Sequence, residues 1–456
     1  MTEANLGLRL TSPSGLSIEL NSNGSLRRID LGETIVNLFL GNEVEGGPAN
    51  LYLRRASSQE FVALLGPQSS TRFREDTSRN SLIGTGTWQG LRYEVELRLA
   101  RDEPVWFWHV RVANDGLATQ RIELLYAQDI ALSPYGTVRM NEYYVSQYVD
   151  HTPLTHASHG VVIASRQNLP ANGKHPWSVI GSLRKSVAYA TDALQFHGLA
   201  TRAGRPPVGL VNRLSNRRLQ HEHSMVVLQD DAVEIAAGST SSLGFFGFVS
   251  AHHGSATEPS DLSRVDRVLQ LPEVSPSDGA IATTNVTPSA ASLFVSAPRL
   301  DALDLTDSDQ HAFFGAVRRH EELDSHGKCL SFFAGAQSHV VLRAKELHVE
   351  RPHGHLLRTG MHATPDEHAL TSTAWMNGVF SSMLTQGHVS FNRLLSTTRS
   401  YLGLFRSQGQ RIFAEVQGRW QLLDLPSAFE IQPDECRWIY RHADGVIEVR
   451  AEAQSN

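Results

Sequence analysis

The first half of the chain alternates apolar and polar positions in short runs divided by turn residues, with almost no helical period. Leu16–Leu20 alternates, Asn21–Gly24 supplies a turn, and Ser25–Ile29 pairs back, which predicts a β-hairpin. Trp88-Gln89-Gly90 turns into Leu91–Leu99, where Leu91, Tyr93, Val95, Leu97 and Leu99 alternate with Arg92, Glu94, Glu96 and Arg98. That pattern predicts a strand with one face on a core and the other in water. Val105–Val112 follows the Asp102-Glu103-Pro104 turn, and Arg121–Tyr126 follows Asn114-Asp115-Gly116. Met225–Leu228, Val233–Ile235 and Leu243–Val249 continue the series. Long strands in antiparallel succession predict a large β-sandwich over residues 1–255.

The pattern changes after that. Between 256 and 325, Pro259, Pro272, Pro276, Pro288 and Pro298 interrupt a Ser- and Asp-rich stretch. It reads as a linker wound over the surface, with helices expected at Leu262–Leu271 and Asp309–Leu323. Residues 326–456 form a second β-rich domain, with strands at Ser331–Phe333 and His339–Leu342 and two hairpins, Arg411–Val416 with Arg419–Leu423 and Arg437–Tyr440 with Val446–Arg450. A helix is expected within Asp366–Gln386, where Ala369, Thr373, Met376, Val379 and Met383 fall near helical spacing.

The stretch from Asn141 to Gly198 is the richest in polar and aromatic groups. Read as an extended strand, it puts Tyr144, Ser146, Tyr148 and Asp150 on one side and Tyr143, Val145, Gln147 and Val149 on the other. Rings and hydrogen-bonding groups on both sides predict a strand with a second surface to contact. The run Tyr143-Tyr144-Val145-Ser146-Gln147-Tyr148-Val149-Asp150-His151, then Ser165-Arg166-Gln167-Asn168, then Tyr189-Ala190-Thr191-Asp192 with Gln195-Phe196 and Gly198, resembles the N-terminal β-sandwich part of glycoside hydrolase family 94. That family, formerly glycosyltransferase family 36, includes cellobiose phosphorylases and cyclic β-1,2-glucan synthases. The long, cellobiose phosphorylase-like members are the most similar. A second block in the right order carries the same resemblance: Trp375-Met376-Asn377-Gly378-Val379-Phe380, Leu384-Thr385-Gln386-Gly387, Ser407–Phe413 and Leu425–Glu430.

The resemblance implies a fold that is mainly β. It implies a galactose mutarotase-like antiparallel super-sandwich followed by a second, incomplete β-sandwich with one or more helices. It also implies that catalysis belongs to an (α/α)6 barrel, for which no helical-repeat region of that size is visible here. No catalytic residue is therefore carried over. The expected partners are an oligosaccharide or β-glucan, inorganic phosphate only through that separate domain, and a separate catalytic subunit or a second copy.

Composition narrows the field. The 456 residues are enough for two or three domains, and 41% apolar with 19% charged residues is ordinary for a globular protein. A net charge of −6 offers no basic field for a nucleic-acid backbone. Two cysteines, Cys329 and Cys436, cannot make a disulfide framework and read as free thiols. No signal peptide and no apolar run of the ~20 residues that cross a bilayer are visible, so a cytoplasmic location and no membrane partner are expected.

Tyr144, Gln147, Tyr148, Asp150, His151, Arg166 and Gln167 are the candidate substrate-binding residues. Rings stack on pyranose C–H faces, and carboxylate, amide and imidazole groups bind hydroxyls. The competing reading is a buried strand whose Tyr hydroxyls find partners, with Arg166, Gln167 and Asn168 clamping a loop. Trp177 reads as a core anchor. A sandwich carrying its own chemistry would need paired carboxylates, for which Asp129, Glu142, Asp150 and Asp192 are the candidates. His221 with His223 and His353 with His355 have same-face strand spacing, and His348 and His362 are nearby. A third ligand and second shell are not evident, so no metal and no cofactor are expected. Asn285-Val286-Thr287 matches a glycosylation acceptor by chance.

Overall fold

A computed structural model of the chain describes residues 7–220, 223–277, 281, 292–359, 369–386 and 402–454. It divides into two compact units, Met1–Gly198 with Pro206–Ser292, and Leu199–Arg205 with Leu293–Asn456. The protein is mainly β, as its alternation predicts.

Among the described residues of the first unit, a five-stranded sheet faces one of 14 strands. The small sheet holds Leu8–Thr11, Leu16–Leu20, Leu26–Leu31, Thr34–Ile35 and Ser133–Pro134. The middle of the large sheet runs Ser224–Asp230, Ser186–Asp192, Gly160–Gln167, Trp177–Ser182, Thr240–Ser250, Val105–Asn114 and Leu91–Leu99. Leu16, Ile18 and Ile29 of the small sheet share one core with Val95, Leu97, Trp106, Trp108 and Tyr126.

The opposite face of the large sheet is covered as well. Phe107, Val162, Trp177, Val179, Phe246 and Phe248 bury there against Val265 and Val268 of the helix Leu262–Leu269. This is why Val105–Val110 is an unbroken buried run with no solvent-facing side. Gly247 lies opposite Trp106 in the ladder, and a Cβ there would sit 2.0 Å from the Trp106 ring. Only hydrogen leaves room for that indole at the centre of the core.

Two expectations about this unit need correction. The charged side of Leu91–Leu99 does not face water. Ser277 donates to Glu96 through its backbone N–H (3.1 Å) and hydroxyl (2.7 Å), and Arg98 and Arg92 reach the Ser275 and Ile281 carbonyls at 3.4 and 3.1 Å. Glu94 pairs with Arg111 at 2.5 Å. The proline-rich segment thus straps this face, and Glu94 and Glu96 are buried.

The second correction concerns Asn141–Asp150. Glu142–Gln147 is an α-helix, and the strand begins only at Val149. The Asn141 side chain caps the helix by accepting from the Tyr144 N–H at 3.2 Å, and Glu142 in the first turn complements the helix dipole.

In the second unit, a six-stranded sheet orders Arg318–Leu323, Cys329–Ala334, Ser338–Leu342, Ala428–Ile431, Glu435–His442 and Gly445–Glu452. Phe380, Phe429, Trp438 and Tyr440 centre its core. The helix expected within Asp366–Gln386 is instead a hairpin of Leu370–Trp375 and Val379–Gln386. The 3–4 spacing straddles a turn at Gly378, whose φ of +72° an apolar side chain rarely adopts. The helix expected at Asp309–Leu323 spans Asp307–Phe314, stops at Gly315 (φ +79°), and gives way to the strand Arg318–Leu323. The other predicted hairpins form with ends shifted by one or two residues.

Candidate functional site

Because Glu142–Gln147 is helical, Tyr144 and Tyr148 meet through i, i+4 spacing rather than strand alternation. Their ring centroids lie 5.1 Å apart at 64°, and the Tyr148 hydroxyl donates to that of Tyr144 at 3.4 Å. Both rings are exposed, at 45% and 36%. Gln147 is exposed, and its carbonyl accepts from the Gln220 amide at 2.8 Å. The same Gln220 amide donates to the Val149 carbonyl at 2.7 Å, pinning the helix end to the start of the strand.

Asp150 is half-buried and ion-paired with Arg218. Its ladder partner is Arg166, which donates to the His253 carbonyl at 3.2 Å and to the Asn168 side chain. Arg218 and Gln220 join the site from 68 and 73 residues away. No local spacing could have pointed to them.

His151 and Gln167 lie beneath this surface, and the structure does not place them at it. The two His151 ring nitrogens bond the Ser165 and Ser224 hydroxyls, each at 2.8 Å, and burial pushes its pKa down to about 3. The Gln167 amide donates to the Ala131 and Val145 carbonyls at 2.8 and 3.2 Å, while its oxygen accepts from the Leu169 N–H at 2.9 Å. The Ser146 hydroxyl accepts from the Ser224 N–H at 2.7 Å. These bonds hold the short helix against the sheet and so position the tyrosine pair.

The carboxylates that would support chemistry in the sandwich are mostly shut from solvent. Asp129 is buried, accepts from the Phe39 N–H at 2.6 Å, and is raised by burial to about 7. Asp192 caps the helix Ala193–His197, accepting from Leu194 and Gln195 N–H at 2.8 and 3.3 Å. Glu142 is also buried. Only Asp150 approaches the surface, and Arg218 neutralises it.

The described histidines among those picked out by spacing make separate contacts. His223 is buried, His353 pairs with Glu346 at 2.6 Å, and His355 reaches the Pro433 carbonyl at 3.3 Å. Among the described residues no group of three or more His, Cys, Asp or Glu could hold a metal ion. His221, His362, Gly387 and Asn285–Thr287 lie outside the described residues. Trp177 is fully buried and donates to the Thr257 hydroxyl at 2.9 Å.

The second motif block does packing work. A Cβ on Gly378 would sit 2.2 Å from the Leu423 carbonyl oxygen, so the turn closes only with glycine. Arg411 and Arg299 both grip Asp424, at 3.1 and 3.0 Å, and the Trp438 indole donates to the Trp375 carbonyl at 3.0 Å.

Among the described residues no helix is long and apolar enough to cross a membrane. A family model described as SOGP N-terminal domain matches residues 19–247, and one described as glycoside phosphorylase supersandwich domain matches residues 316–455. The chain is 28% identical over 449 residues to a 1,2-beta-oligoglucan phosphorylase of Listeria innocua, a match covering 97% of this chain and 39% of that protein. It therefore spans well under half the length of that relative. Two solved structures align at low similarity. A galactose mutarotase related enzyme from Lactobacillus acidophilus covers 56% of this chain and 100% of its own, at 10% identity and a TM-score of 0.31. A bacterial glucoamylase complexed with acarbose covers 58% and 36%, at 9% identity and a TM-score of 0.30. With matched models following one another along both units, the chain belongs to the SOGP N-terminal domain family and to the N-terminal β-sandwich region of glycoside hydrolase family 94.

Proposed function

We propose that this chain is the carbohydrate-binding, non-catalytic N-terminal part of a cytoplasmic glycoside phosphorylase that acts on β-linked gluco-oligosaccharides. The carrying observation is the exposed pair of Tyr144 and Tyr148 rings, with Tyr148 two residues before Asp150 and its partner Arg218. Two apolar faces next to charged hydrogen-bonding groups match the alternating C–H and O–H surfaces of a pyranose. The general acid and the phosphate site belong to an (α/α)6 barrel outside these residues. The burial of Asp129, Glu142 and Asp192 supports that assignment, because none of them can reach a glycosidic oxygen.

Two measurements test this reading. Tyr144→Ala and Tyr148→Ala should each weaken binding of a β-glucan oligosaccharide in calorimetric titration by about three- to tenfold, the worth of one stacked ring. Stability should change by no more than about 0.5 kcal/mol, as at other exposed positions. Unchanged affinity would remove the tyrosine face as a sugar surface. The 456-residue chain should also release no glucose 1-phosphate from a β-linked glucobiose and inorganic phosphate. Release above the enzyme-free rate would place catalysis in this chain.

A second reading, a sandwich without sugar affinity that docks a separate catalytic subunit, draws on Met140, which is 51% exposed at the end of the preceding helix. Under it, Tyr148→Ala would abolish co-elution with a separately expressed catalytic half while oligosaccharides bound neither form.

A further inference from the structure

The second unit contains a cleft of 490 Å³, within the range of about 300–1,000 Å³ usual for small-molecule sites. The helix Asp307–Phe314, the strands Arg318–Leu323 and Cys329–Ala334, and the segment after Leu342 form its walls. Gln310 lines it while only 5% exposed. The Gln310 amide N–H donates to the Leu305 carbonyl at 3.1 Å, which fixes the amide's orientation. That leaves the carbonyl oxygen buried with no hydrogen-bond partner among the described residues. On another wall, Arg343 Nε is a buried donor in the same condition. Unmet buried polar atoms are costly, and here the two residues that carry an unmet acceptor and an unmet donor both line one cavity.

The charges in the wall decide what fits. Asp304, Asp307 and Glu321 are balanced by Arg318, Lys328 and Arg343. Lys328 sits 2.7 Å from Asp304, and Arg343 and Arg318 sit 4.0 Å from Asp304 and Glu321. An anion would meet three carboxylates and a cation three bases, so neither gains net charge compensation. A neutral molecule with several hydroxyls satisfies both kinds of wall, because each hydroxyl donates to Gln310 or a carboxylate and accepts from Arg343 or a guanidinium. We propose that this cleft is a second saccharide site, taking a neutral mono- or disaccharide through Gln310, Arg343 and the ion pairs at its rim. It lies wholly in the second unit and does not depend on the tyrosine face of the first.

Cys329 lines the cleft and is half-buried, whereas the other thiol, Cys436, is buried elsewhere in the unit's core. Alkylation of Cys329 in the full chain therefore reads occupancy directly. A β-linked glucobiose at millimolar concentration should slow iodoacetamide labelling of Cys329 several-fold, and inorganic phosphate should not. Gln310→Leu should abolish the protection. Glu321→Gln, at an exposed rim position, should weaken it. The Tyr144→Ala and Tyr148→Ala variants should keep it in full, so failure of the tyrosine site and failure of this one are distinguishable. Labelling that glucobiose leaves unchanged overturns the proposal, as does protection by phosphate alone or protection lost with the tyrosines.

Discussion

Asp424→Ala should destabilise the second unit by about 3–5 kcal/mol, the loss seen when one partner leaves a buried ion pair. The Asp424 carboxylate is almost fully buried and accepts from Arg411 and Arg299 on opposite oxygens. Arg411 is as deeply buried as its partner. Alanine would leave the buried Arg411 guanidinium without its anion, while Arg299, which is partly exposed, keeps its bonds to the Thr201 and Arg202 carbonyls at 2.9 and 2.6 Å. The Asp424 backbone carbonyl also takes the Tyr440 hydroxyl at 2.9 Å, so any shift in this turn reaches the aromatic core. Hydrogen exchange at the Glu435–His442 amides checks the effect in that unit alone. Protection lowered by less than about 1 kcal/mol would mean that the arginines find other acceptors, as exposed pairs do.

A comparable effect is expected from pH at His151. Its folded pKa is about 3, because burial between Ser165 and Ser224 disfavours the imidazolium. The unfolded chain titrates near 6.5. Below that pH only the unfolded state takes up the proton. The contribution of His151 is therefore complete above about pH 6.5 and lost progressively toward pH 3. At pH 5 the loss is about 2 kcal/mol, from about 1.5 units at 1.36 kcal/mol each. His197, held at about 4 by burial, acts in the same direction. Asp129 and Asp230, both raised by burial to about 7, act in the opposite one, since the folded state keeps their protons as pH falls from 7 to 4. Whole-protein stability thus mixes both signs, and a difference isolates His151. His151→Gln should be less stable than wild type by about 1–3 kcal/mol at pH 7, the cost of disturbing two buried hydrogen bonds. That gap should narrow by about 2 kcal/mol at pH 5. A gap constant between pH 7 and 5 in urea unfolding would show that His151 is not held neutral.

The helix at Glu142–Gln147 shows how a local reading goes astray. Six residues are too few for a period of 2 to be told from one of 3.6, and tyrosine and valine favour strands. The cap at Asn141 and the acid after it were the better signal. Tyr144 and Tyr148 share a face under either geometry, while His151 and Gln167 are turned inward. The hairpin at Leu370–Gln386 failed for a related reason: apolar residues on two strands, counted through a Gly378 turn, imitate helical spacing.

The sequence alone determined the strand-rich character of both units, most hairpin positions and the burial of Trp177. Alternation and turn chemistry act between neighbours a few residues apart, so they are written locally. Tertiary structure alone decided which polar groups face water. Glu96 looks like a solvent-facing residue until Ser277 closes over it, and Asp150 looks like a free acid until Arg218 arrives from 68 residues along the chain. Burial depends on what packs across a strand's second face, and in a 14-stranded sheet that partner can come from any distance along the chain.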